Sequence, residues 1–106
     1  MASAAAAGYR SAGALVAITL NHLGLAYRAL GDAGRAKAFL KWALLINEAH
    51  YGRDHYYTAR SLTIFCTAYG DLGDSVLMIQ LLERALGIQE AHYGRGHHET
   101  APTRPD

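Results

Sequence analysis

Cysteine and proline are scarce in this chain, and long apolar runs are absent. A single cysteine, Cys66, excludes an internal disulfide framework and fits a reducing compartment such as the cytoplasm. Pro102 and Pro105 are the two prolines, and both follow the patterned part of the sequence. No run of about 18 or more apolar residues exists, so we expect no membrane-spanning helix.

Motifs that carry catalysis are also missing. The sequence has no glycine-rich phosphate loop, no Ser/His/Asp arrangement and no paired carboxylates in a plausible cleft. Cys66 lies on an apolar helical stripe, where a thiol is expected to be a small buried hydrophobe rather than a nucleophile. We therefore predict that the protein is not an enzyme and needs no cofactor.

Charged residues make up only 18% of the chain, against 51% hydrophobic residues, which is the balance of one globular domain of 106 residues. Their distribution is uneven. Residues 1–53 carry six Lys/Arg and two Asp/Glu, whereas residues 54–106 carry four and seven. Neither half has the basic stripe that nucleic-acid binding requires, so we expect no nucleic-acid partner.

The amino terminus lacks acidic residues and hydrophobic periodicity. Residues 1–31 contain no Asp or Glu, and Met1-Ala2-Ser3 followed by four alanines resembles an organelle transit peptide. The simpler interpretation is that residues 1–14 form a disordered or loosely ordered lead-in. We expect a cytoplasmic protein, with organelle targeting as the open alternative.

The strongest feature of the sequence is an internal repeat of 42 residues. Ala49-His50-Tyr51-Gly52-Arg53 returns unchanged as Ala91-His92-Tyr93-Gly94-Arg95, and residues 20–59 align with 62–101 at 19 identical positions out of 40. This agreement at one fixed register predicts two copies of one structural unit.

Each copy contains two amphipathic helical stripes joined by a Gly-Asp turn. Leu20, Leu23, Tyr27 and Leu30 fall at i, i+3, i+7 and i+10, which is the spacing of one helix face. The glycine of the turn can close the first helix, and the aspartate can cap the second. Because the connection is short, the two helices must lie antiparallel.

Small residues on the first helix of each copy predict close packing of the two helices. Gly24 and Cys66 occupy equivalent positions, where a small side chain lets the second helix approach. Met78 replaces Ala36 in the second copy, so we expect looser packing there.

These patterns predict an all-α fold of stacked helical hairpins. Residues 15–55 form the first hairpin and residues 56–97 the second. A third copy begins at residues 98–101, but Pro102 and Pro105 do not suit a helix interior, so residues 98–106 are predicted to be an aborted repeat and tail.

The two copies resemble tetratricopeptide repeats, in the 42-residue variety found in kinesin light chains. The first helix of that repeat has a large residue, a leucine, a small residue and a tyrosine, which match Leu20, Leu23, Gly24 and Tyr27. The linker of kinesin-light-chain-like repeats is matched by residues 51–55, and by residues 93–97 except at Gly96. The resemblance implies a right-handed superhelical solenoid of two repeats that serves as a scaffold for protein binding.

The resemblance also implies a concave surface, formed by the first helix of each hairpin, that holds a peptide. Asn21 resembles the asparagine that bonds the peptide backbone in this family, whereas the second copy has Thr63 at that position. Arg28 and Arg60 suit a carboxylate or acidic peptide because the guanidinium is a planar fork, although both could simply solvate a helix face. The candidate peptide-binding residues are Asn21, Arg28, Arg60, Thr63 and Thr67.

The histidines offer a different interpretation. Five of the six lie in the turns that follow the hairpins: His50, His55, His92, His97 and His98. Neutral imidazole binds zinc or copper, but no cysteine or carboxylate cluster completes a ligand set, and the spacing recurs as part of the turn signature. We therefore predict no metal site and keep a metal-binding helical protein as a distant alternative.

The predicted function is a protein interaction module that binds an unidentified protein or peptide segment. The alternative is a structural element that self-associates, or a fragment of a longer array. Two repeats are fewer than the three or so that usually make a stable array, and the last hairpin lacks a polar capping helix. Its uncapped end could therefore stack on a second copy.

Overall fold

Four α-helices make up the computed structural model, which describes residues 2–94 and the side chains of residues 13–94. They are α1 (Ala2–Ala29), α2 (Ala33–Tyr51), α3 (Tyr56–Asp71) and α4 (Ser75–Tyr93). Within these residues there is no β-strand. The all-α prediction is confirmed, and the second predicted hairpin begins at the residue where α3 begins.

The same turn closes α1 and α3. Gly31 has a φ of 83° and Gly73 has a φ of 84°, a region that glycine enters without steric cost. The amide nitrogen of Asp32 donates to the carbonyl of Tyr27 at 2.9 Å, and that of Asp74 donates to Tyr69 at 2.8 Å. These bonds satisfy the last carbonyls of each helix, as in a Schellman motif.

Each turn also starts the following helix. The carboxylate of Asp32 accepts from the amide of Arg35 at 3.0 Å, and the carboxylate of Asp74 accepts from the amide of Leu77 at 3.1 Å. One aspartate thus ends one helix with its backbone and caps the next with its side chain, which leaves the chain little freedom between them. The antiparallel hairpins predicted from the Gly-Asp spacing are confirmed.

The core lies on both sides of α2, which packs against α1 and against α3. Ala17, Leu20 and Ala43 form the buried cluster between α1 and α2. A larger cluster joins α2, α3 and α4, and its buried members are Leu40, Leu44, Ala59, Leu62, Phe65, Ala68, Ala85 and Ile88. The two hairpins therefore share one continuous core that neither could bury alone.

Small residues set the distance between the helices. A Cβ at Gly24 would lie 2.5 Å from Cδ2 of the fully buried Leu40, so any side chain there would force Leu40 or the helices to shift. In the second hairpin the large and small residues exchange sides. Met78 of the second hairpin stands at the position of Ala36 in the first, and its sulfur would lie 2.8 Å from a Cβ built at Gly70. The position of Gly70 is occupied by Arg28 in the first hairpin. Gly70 thus provides the space that Met78 fills.

The amino terminus differs from its predicted form. Helix α1 begins at Ala2, so residues 2–14 lie within a helix rather than in a loose lead-in. The segment lacks an apolar stripe but is rich in alanine, the residue with the highest intrinsic helix propensity. The predicted third repeat, residues 98–106, lies outside the described residues.

Candidate functional site

A groove runs between α1 and α3, with the carboxyl end of α2 as its floor, and we call it the α1–α3 groove. Its volume is about 420 Å³. Its walls come from one face of α1 and one face of α3, as expected for the first helices of two stacked hairpins. The main lining residues are Ile18, Asn21, His22 and Leu25 of α1, Asn47 and Tyr51 of α2, and Tyr57, Arg60, Ser61 and Ile64 of α3.

Two of the five predicted site residues, Asn21 and Arg60, line this groove. They come from different hairpins, so stacking of the hairpins brings them to one surface. Among the described residues, the guanidinium of Arg60 has no ion-pair partner. The described lining residues include no Asp or Glu, so none of them offsets the positive charge of Arg60 within the groove.

Two buried oxygens in the groove wall lack hydrogen-bond partners in the described part of the chain. They are Oδ1 of Asn21 and Oγ of Ser61. A buried polar atom without a partner costs about 1–3 kcal/mol, so such atoms are rare in folded proteins. Asn21 lines the groove, and a side-chain amide can both donate and accept hydrogen bonds.

Arg28 does not line this groove and lies instead beside a second cleft that also contains Asp71. Its Nε donates to Oδ2 of Asp71 at 2.5 Å, and one terminal nitrogen donates to Oδ1 at 3.3 Å. The two-point bond with Asp71 raises the pKa of Arg28. The pair joins α1 to α3, so the Nε and one terminal nitrogen of Arg28 are already engaged within the chain.

Thr63 and Thr67 are half-buried on α3, and each hydroxyl is already used as a donor. Thr63 donates to the carbonyl of Arg60 at 2.7 Å, and Thr67 donates to that of Ile64 at 2.6 Å. Both oxygens keep lone pairs that can accept a hydrogen bond. Neither threonine is among the residues that line the α1–α3 groove.

The groove floor contains residues that the sequence did not indicate. Tyr51 belongs to the linker signature and Tyr57 follows it, yet both line the groove, and their rings meet edge to face with centroids 5.1 Å apart. Asn47 and Ser61 were also missed. In the sequence, Ser61 is only a small hydroxyl residue on the buried side of a helix, and such a residue more often has a structural role than a binding role.

The histidines have structural partners in the turn between the hairpins. Nδ1 of His55 accepts from the amide of Tyr57 at 3.0 Å and so caps α3, while the ring of His55 stacks on Tyr51 at 4.7 Å. His50 lies in the last turn of α2, where a histidine is favourable with the helix dipole. No group of three or more His, Cys, Asp or Glu side chains comes together within the described residues. His97 and His98 lie outside them.

Cys66 is buried, and its thiol donates to the carbonyl of Thr63 at 3.0 Å. Burial raises the pKa of this thiol, so little thiolate forms near neutral pH. Cys66 is therefore a packing residue, as predicted. In the portion of the chain that the structure describes, no helix has the length and apolar character needed to cross a lipid bilayer.

Comparison with known families supports this description of the fold. The tetratricopeptide repeat family model matches residues 16–57, a segment as long as the internal repeat. No curated protein is similar enough to the chain to count as a match. Residues 16–57 match the tetratricopeptide repeat model, and since α3 and α4 repeat the same hairpin, the fold is an all-α, tetratricopeptide-like helical repeat of about two repeats.

Proposed function

We propose that the protein is an interaction module that binds a peptide segment of another protein in the α1–α3 groove. The observation that carries this proposal is the joining of Asn21 and Arg60, from different hairpins, in one groove with unpartnered buried oxygens. Tetratricopeptide repeats typically bind protein partners, which is consistent with this assignment. The resemblance of the linker to kinesin-light-chain repeats also supports it.

The chemistry of the groove favours a peptide that is both apolar and acidic. Ile18, Leu25 and Ile64 offer apolar surface, and Tyr51 and Tyr57 offer ring faces and edges. Aliphatic or aromatic side chains of a peptide would bury area against them.

Polar groups of the groove would fix the orientation of the peptide. The amide of Asn21 can pair with a peptide N–H and C=O. Arg60 can form a two-point bond with an Asp or Glu side chain or with a terminal carboxylate. Arg28, Thr63 and Thr67 remain weaker candidates, since none of them lines the groove and each already donates a hydrogen bond within the chain.

The test begins with a displayed library of random peptides selected on the immobilised protein. The affinity of an enriched peptide is then measured by fluorescence anisotropy at two salt concentrations. We expect Arg60→Ala to raise Kd about tenfold or more, with a weaker salt dependence than the wild type, because a charge-assisted bond is lost. Asn21→Ala should also raise Kd.

Two control substitutions lie outside the groove. Arg53→Ala removes an exposed arginine from the turn, and Gln80→Ala removes an exposed amide from α4. Both should leave Kd unchanged. Enriched peptides that bind equally well to the Arg60 and Asn21 variants, or selection that enriches no peptide, would contradict the proposal.

A further inference from the structure

The outward surface of α4 is the sequence copy of a surface that is buried in the first hairpin. Leu82 and Leu86 repeat Leu40 and Leu44 at the offset of 42 residues. Leu40 is 0% exposed because α3 lies over α2, whereas Leu82 is 37% exposed. Leu44 and Leu86 differ in the same way. The side of α4 that corresponds to the covered side of α2 has no covering helix among residues 13–94.

The outward surface of α1 also has a buried counterpart. It is equivalent, at the offset of 42 residues, to the surface of α3 that packs on α2. Phe65 is 4% exposed in that contact, and its counterpart Leu23 is 39% exposed. Thr58 is fully buried, and its counterpart Val16 is 45% exposed. The chain thus carries both halves of its own α2–α3 interface, one on α4 and one on α1.

We propose that the occupant of the α4 surface is the α1 surface of a second copy of this chain, so that the molecules stack head to tail. The contact would reproduce the α2–α3 packing already present within each molecule. Because the two surfaces differ, the contact is heterologous, and each molecule can bind one neighbour at each end.

The substitutions between the copies suit such a contact. In the α2–α3 contact, the buried hydroxyl of Thr58 donates to the carbonyl of Gly52. The equivalent residue of α1 is Val16, which has no hydroxyl and therefore needs no such partner when it is buried. Thr19 replaces Ser61, and its hydroxyl donates to the carbonyl of Leu15 at 3.3 Å. On α4, Ile79 stands at the position of Lys37 in α2. An apolar side chain there avoids the cost of removing a lysine from water when a second molecule packs on α4.

Charge also favours head-to-tail contact over contact between like ends. Helix α1 belongs to the basic half of the chain and α4 to the acidic half. Joining α4 to α1 brings opposite net charges together, whereas joining two α4 surfaces brings two acidic halves together. Stacking of this kind would also place the surface formed by α1 and α3 of one molecule next to the same surface of the next molecule.

The test measures molar mass by sedimentation velocity and light scattering over a concentration series of the full chain. The wild type should increase in mass with concentration. Leu23→Glu blocks the α1 surface and Leu82→Glu blocks the α4 surface, so each variant alone should raise the dissociation constant more than about tenfold and stay monomeric. An equimolar mixture of the two should form dimers and nothing larger, because one intact α4 surface meets one intact α1 surface.

Matched controls use the same change on the same helices outside the contact. The first is Ile18→Glu, whose counterpart Arg60 is exposed, and the second is Val76→Glu, whose counterpart Gly34 is exposed. Both should assemble like the wild type. Far-ultraviolet circular dichroism checks that every variant keeps its helicity. Val16→Lys and Leu86→Lys replace any blocking variant that does not fold.

Three results would overturn the proposal. The first is a wild-type chain that stays monomeric at every concentration, as it would if residues 95–106 or another protein covered α4. The second is a Leu23→Glu variant that still dimerises, since that result indicates contact between two α4 surfaces. The third is a mixture of the two blocked variants that remains monomeric while both are folded.

Discussion

Gly24 shows how a single residue controls the approach of two helices. A Cβ at this position would meet Leu40, which is fully buried and cannot move without disturbing the cluster that joins α2, α3 and α4. We predict that Gly24→Ala lowers the free energy of unfolding by about 1–3 kcal/mol, because overpacking outweighs the gain in helix propensity. Urea denaturation followed by circular dichroism measures this change.

Gly87 provides the matched control, since it is also within a helix but faces open space. Apart from the backbone of its own helix and its chain neighbours, no atom of the described residues lies within 4 Å of a Cβ built at Gly87. Gly87→Ala should therefore raise the free energy of unfolding by about 0.5–1 kcal/mol through helix propensity alone. A Gly24→Ala variant that is also more stable than the wild type would show that Leu40 can shift to make room.

At the scale of the element, the aspartates of the two turns decide where α2 and α4 begin. Each carboxylate accepts a hydrogen bond from an amide three residues later, which would otherwise be an unsatisfied donor. We predict that Asp32→Ala and Asp74→Ala each lower the free energy of unfolding by about 1 kcal/mol. Chemical denaturation of both variants provides the measurement.

Asparagine distinguishes the cap from the charge. Asp32→Asn keeps the side-chain oxygen but loses the ion pair with Arg35, whose nitrogen is 3.5 Å from the carboxylate in an exposed position. An exposed pair contributes little, so Asp32→Asn should stay close to the wild type. An asparagine variant as unstable as the alanine variant would instead assign the effect to charge.

The helices and turns could be predicted from the sequence because each rests on local information. The stripe from Leu20 to Leu30 defines a helix face by its spacing alone, and the Gly-Asp pair defines a turn by its chemistry. The amino-terminal part of α1 escaped prediction because an alanine-rich segment has propensity without periodicity. The cap on α3 escaped as well, since histidine is not among the usual capping residues.

The candidate site was only partly predictable because it depends on how two helices are placed relative to each other. Arg28 was predicted to contact a peptide, but it is paired with Asp71. Their pairing depends on the shift of α1 along α3, which no residue spacing encodes. Asn47 and Tyr51 belong to α2, so their place in the groove floor follows from the tilt between hairpins rather than from the pattern of the first helices.

At the scale of the whole molecule, the shared core predicts that the two hairpins unfold together. Leu40 and Leu44 of the first hairpin belong to the same buried cluster as Phe65 of the second. In a repeat protein, the units unfold in a single transition when the interface between them contributes more stability than each unit has alone. Neither hairpin should therefore persist without the other.

Phe65→Ala tests this coupling from the second hairpin. Removing a buried phenylalanine costs about 3–5 kcal/mol, and since the interface is shared, amides of α1 and α2 should lose hydrogen-exchange protection together with those of α3 and α4. Exchange is measured at a concentration where the chain is monomeric, and Leu30→Ala, at an exposed position in the first turn, provides a control that should leave protection nearly unchanged. Protection lost only in α3 and α4 would show that the first hairpin is stable alone, and the molecule would then be two independent units rather than one.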